Sequence, residues 1–184
     1  MVANGDRQRA EQGLHEALDR FEARASDSSL GDPLVPFAEA LNWAYSLEEW
    51  HEAQLRKAGV DYYAKRDNDP DGEVVAGVIY ARGLVAHQLV KVGLVASLDR
   101  YYDDYGAFGN LVWRPFSELP PPDKPEKKGR DEKYKRRVQH KRLSVTMRAV
   151  ERFLTSTVLS HYPDLDDPGQ SSPTSAPTAP RSGA

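Results

Sequence analysis

The chain has no cysteine and only two methionines in 184 residues. Disulfides and thiolate metal sites are therefore excluded. No run of apolar residues approaches the ~20 needed to span a bilayer. Met1 to Ala10 is polar and lacks the apolar core of a signal peptide. The expectation is a cytoplasmic protein with no membrane segment. A phosphate-binding glycine loop and a nucleophile elbow are also missing. Gly106 and Gly109 are spaced like the last two glycines of a dinucleotide-binding turn, but Asp104 stands where the first would be. His15, His51, His87, His140 and His161 have no mutual metal-ligand spacing. Glu48 and His51 form one helical Glu-x-x-His pair, whereas a di-iron bundle needs two such pairs and further carboxylates. No metal and no cofactor is expected.

Charge is present in quantity and unevenly placed. Residues 1–123 carry 12 Lys and Arg against 21 Asp and Glu. Residues 124–152 reverse this, with 12 basic and 4 acidic side chains. The whole chain has a net charge of −3. An acidic body with a basic segment can draw in a polyanion, or the segment can neutralise the body in cis or in a dimer. Lys133, Lys135, Arg136, Arg137, Lys141 and Arg142 are the candidate nucleic-acid contacts. A solvated helix face is the plainer account of the same residues.

Apolar spacing and punctuation predict an all-α, four-helix-bundle-like single domain over residues 1–162. The first helix runs from about Gln8 to Ala25, with Leu14, Leu18, Phe21 and Ala25 on one stripe. The second opens at Asp32-Pro33, a capping carboxylate followed by a residue that needs no backbone donor. It continues to about Ala58. Trp43 and Trp50, seven apart, share a face, and packing explains them better than ligand stacking.

The third helix opens with the same device at Asp69-Pro70 and is predicted to reach Tyr102. It is apolar on nearly all sides, as a central helix must be. Gly77, Gly83 and Gly93 weaken it but permit close helix contacts. The fourth is predicted over residues 131–160. Leu143, Met147, Val150, Leu154 and Val158 are on its buried stripe, and its basic first half projects past the core. Between the two lies a long loop over residues 101–130 that carries 6 of the chain's 17 aromatic residues. So many rings imply packing on the body or on a partner. Residues 163–184 are rich in Ser, Thr, Pro, Ala and Gly and are expected to be disordered.

One constellation on the third helix points to chemistry. Arg82 interrupts the stripe of Val78, Val85 and Leu89, and a guanidinium there needs a partner or an interface. His87 follows five residues later. A second pair, Arg9 and His15, is near the N-terminus and off the central helix. The Arg-x4-His run on a central helix resembles the motif of the HEPN superfamily of small helical bundles, many of them metal-independent ribonucleases of toxin or defence type. Gly83 departs from the polar residue that often follows the arginine in that family.

The resemblance implies a homodimer in which two copies of Arg82 and His87 build one catalytic site for RNA, and an antitoxin or other protein partner. Histidine moves protons near neutral pH, and arginine stabilises charge on the phosphorus. The alternatives are an ion pair of Arg82 with Glu48, Glu49 or Glu52, and a non-catalytic interaction protein that binds a protein or nucleic acid through the aromatic loop and the basic helix. A regulatory or phage-related helical protein without activity is a third reading.

Overall fold

The computed structural model describes residues 4–86, 95–97, 111–122 and 129–156. Among these residues, six α-helices carry the fold: α1 (Asn4–Ser26), α2 (Leu34–Lys57), α3 (Tyr62–Asp67), α4 (Pro70–Ala86), α5 (Arg130–Arg137) and α6 (Leu143–Leu154). Two three-residue strands, β1 (Val95–Ser97) and β2 (Leu111–Trp113), pair antiparallel with Val95 opposite Trp113. The protein is all-α, as its periodicity predicts.

The helix starts follow their capping chemistry. The Asp69 carboxylate accepts from the backbone N–H groups of Asp71 and Gly72 at the head of α4. Asp32 accepts from Leu34 N at the head of α2. Asp61 does the same for α3 through Tyr63 and Ala64, and that short helix is absent from the sequence-based expectation. Its six residues are too few to show a period.

The core lies between α1, α2, α4 and α6. Leu14, Leu18 and Phe21 meet Phe37, Leu41 and Leu47 across α1 and α2. Val75, Val78 and Ile79 of α4 face Met147, Val150 and Phe153 of α6 in the same cluster. Trp113 of β2 is wholly buried and donates its indole N–H to Thr146 Oγ1 at 2.6 Å. It lies edge-on to Phe37 and Tyr134. This part of the aromatic loop is thus core. Tyr101, Tyr102, Tyr105 and Phe108 lie outside the described residues.

Two helix expectations are corrected. The spacing predicts the third helix through Tyr102, whereas Val95–Ser97 is a strand on β2. A short apolar run fits either structure, and the decision belongs to its partner. The predicted fourth helix is broken into α5 and α6. His140 takes a left-handed backbone with φ 63°, which a right-handed helix cannot contain. Its N–H donates to Trp113 O, while Trp113 N–H donates to Lys141 O. The chain leaves the helix in order to pair with β2.

The basic half also does not project past the core. Tyr134 of α5 and Val138 at its C-terminal end are fully buried against α4. A Cβ on Gly77 would lie 2.6 Å from Val138 Cγ2 and 3.0 Å from Tyr134 Cα, so this glycine allows the close approach. Among the described residues nothing lies within 4 Å of a Cβ on Gly83, so the close-contact role does not extend to it there, and Gly93 is outside the described residues.

A buried polar network ties these helices together. Arg66 of α3 is 0 % exposed and donates Nη1 to Glu48 Oε1 of α2 at 2.7 Å. Its Nε donates to Asp67 Oδ1 at 2.9 Å. Lys133 of α5 reaches the other oxygen of Asp67, and Arg130 Nη2 lies 3.5 Å from Glu48 Oε1. The rings of Tyr62 and Tyr63 flank the Arg66 guanidinium at 5.9 and 4.9 Å.

Two outcomes follow from this packing. Gly72 of α4 faces Arg66 O, which a Cβ would approach to 2.1 Å. Gly72→Ala should destabilise by about 1–3 kcal/mol, whereas Gly83→Ala should stabilise by about 0.4–1 kcal/mol; urea melts of both variants check the pair. Arg66→Met strands the Glu48 carboxylate and should cost about 3–5 kcal/mol. The double variant Arg66→Met/Glu48→Leu should recover a large part of that loss in the same melts.

Candidate functional site

Arg82 extends from the C-terminal half of α4 toward α2 and is part-exposed. Its guanidinium carbon sits 3.9 Å from the centroid of the Tyr45 ring. Nη2 donates to Asn42 Oδ1 at 3.4 Å, a long contact. Among the described residues no carboxylate pairs with Arg82. Glu48, one of the expected acidic partners, is occupied by Arg66 and Arg130 instead.

Asn42, Tyr45 and Glu49 recur at three- and four-residue steps and form one outward face of α2. The Glu49 carboxylate nearby, with burial, pushes the Tyr45 phenol above its ordinary pKa, so it stays protonated. Asn42 and Tyr45 were not singled out as site residues from sequence. The signal open to a reader was a polar strip on α2 at helical spacing. Its meeting with Arg82 depends on how α2 and α4 are set against each other. His87, the expected second member of the site, lies outside the described residues.

The six basic residues divide. Lys133 pairs with Asp67, and Arg136 and Arg137 share the two oxygens of Glu73. Lys135 pairs with Glu132 within α5, and its ammonium is 4.2 Å from the Phe116 ring centroid. The account in which the basic segment neutralises the acidic body in cis describes Lys133, Arg136 and Arg137. Arg136 remains 60 % exposed in its pair, and exposed pairs of this kind contribute little. Lys141 and Arg142 are exposed and make no ion pair among the described residues. They sit at the turn between α5 and α6, where Arg142 bridges to Val112 of β2.

The Glu-x-x-His pair is drawn apart by its neighbours. Glu48 turns to Arg66, while His51 Nε2 meets Leu154 O at 2.8 Å. A carbonyl can only accept, so His51 donates there. Burial pushes its pKa down to about 4, against the partial opposing effect of that bond. Among the described residues no group of three or more His, Cys, Asp or Glu side chains is placed to hold a metal ion. No helix among them is long and apolar enough to cross a membrane.

Comparison with family models, with curated proteins and with solved structures finds no match to the chain.

The His51 geometry has a consequence for stability against pH. Its folded pKa lies below the value of 6.5 expected when unfolded, so the unfolded chain binds the proton first. The contribution of neutral His51 is fully present above pH 6.5 and is lost as pH falls from 6.5 toward about 4. The loss is on the order of 3 kcal/mol. Urea titrations from pH 7.5 to 4 should show a steeper decline in the wild type than in His51→Gln; parallel curves would refute this.

Proposed function

We propose that the protein is a HEPN-like, metal-independent endoribonuclease of toxin or defence type, with Arg82 and His87 as its catalytic pair. The observation that carries this reading is the state of Arg82. Its guanidinium is part-exposed, stacked on an aromatic ring, and answered by no carboxylate among the described residues. A structural arginine in a helical bundle is normally neutralised by an acid, as Arg66 is. A guanidinium left with an aromatic and an amide keeps its charge for an incoming anion, and a phosphodiester in flight is one. His87, five residues further along the sequence, would exchange protons with the ribose 2′-hydroxyl and the leaving oxygen. Two chains would meet on this face, each contributing an Arg82 and a His87, and an antitoxin or other protein would be a further partner. Arg136, Lys141 and Arg142 would attract the RNA backbone.

A second reading rests on Lys141 and Arg142, which are exposed and uncommitted at a turn next to β2. There the protein is a non-catalytic adaptor that binds nucleic acid or an acidic protein surface through the basic segment and the aromatic loop.

The deciding experiment incubates purified protein with single-stranded RNA in excess EDTA. The expected result is cleavage that falls by about 10²–10⁴-fold in His87→Ala, with the unfolding midpoint unchanged. Intact RNA with the wild type overturns the nuclease reading. Association without cleavage that weakens steeply with salt, and is lost in Lys141→Glu/Arg142→Glu, supports the second reading.

A further inference from the structure

The neighbours of Arg82 come from a different helix, and their arrangement assigns them a role. We infer that Tyr45 and Asn42 are positioning residues for the Arg82 guanidinium, and that the Tyr45 ring sets its plane. This rests on the reading of Arg82 as a group that meets the scissile phosphate.

An arginine side chain has four rotatable bonds, and on a helix surface it samples many rotamers. A guanidinium that must present two parallel N–H groups to a phosphate gains from being held in one plane beforehand. Here the ring of Tyr45 covers one face of the guanidinium at 3.9 Å. The amide oxygen of Asn42 takes one Nη2 proton at 3.4 Å. The remaining N–H groups have no hydrogen-bond partner among the described residues. Tyr45 and Asn42 thus hold the guanidinium from α2, the neighbouring helix.

The ring, more than the hydroxyl, is what the guanidinium touches. The two substitutions at this position should therefore differ. Tyr45→Phe keeps the face and should cleave RNA within about threefold of wild type. Tyr45→Leu removes the face and should slow single-turnover cleavage by about 10–100-fold, the scale of a misplaced reacting group. Its affinity for a non-cleavable 2′-deoxy analogue should stay within about threefold, since charge is retained. Asn42→Ala should show a smaller loss of the same kind. Thermal melts of all variants should agree with wild type, so that a folding defect is not read as misplacement.

Equal cleavage by Tyr45→Leu and wild type overturns the inference while leaving the nuclease reading intact. Equal losses in Tyr45→Phe and Tyr45→Leu overturn it too, by assigning the effect to the hydroxyl. Loss of analogue binding in parallel with cleavage makes Tyr45 a binding group and refutes positioning. A wild type that leaves RNA intact removes the nuclease reading and this inference with it.

Discussion

The buried ion pair of Arg66 with Glu48 holds the described helices in one arrangement. A guanidinium with no exposure would be prohibitively costly without a counter-charge. Glu48 supplies that charge from α2, and Asp67 supplies a second from the end of α3. Lys133 and Arg130 of α5 then attach to the same two carboxylates. The consecutive helices α2 and α3 and the distant α5 are thereby required to meet at one point. Apolar contacts are tolerant of small slides, but a buried charge is not. A buried pair of this kind often adds little net stability over apolar side chains of the same volume, but removing one partner leaves the other charge buried and uncompensated.

This constraint shapes the candidate site. Glu48 is turned inward to Arg66 and Arg130 and does not pair with Arg82. Arg82 is left with Tyr45 and Asn42. The distinction between a structural arginine and a chemically available one thus comes from a competition for carboxylates that Arg66 wins by being inside. The basic segment is decided in the same way. Asp67 and Glu73 of the acidic body take Lys133, Arg136 and Arg137, while Lys141 and Arg142, carried away from α4 by the left-handed turn at His140, meet no acid among the described residues.

Much of the helical layout could be read from local chemistry. Asp69 caps α4 where the Asp-Pro pair places it, and the apolar steps of α1, α2 and α6 are the buried faces. Arg82 could be noticed because it breaks an apolar stripe. What escaped the reading is of a different physical kind. The break between α5 and α6 comes from backbone bonds of His140 and Lys141 to Trp113, some 27 positions earlier. The strand at Val95–Ser97 exists because Leu111–Trp113 lies beside it. The polar strip of Asn42, Tyr45 and Glu49 gains meaning only when α4 is laid against it.

The amino-acid order by itself determined that this chain forms helices, where most of them start, and which side of each turns inward. Those properties follow from spacing and capping within a few residues. Tertiary structure alone decided which charge meets which, that Arg82 rests on an aromatic ring, and that the basic run folds back onto the body. Electrostatic partners are selected by distance and burial in space, and residues such as Glu73 and Arg136, 63 positions apart, carry no local mark of each other.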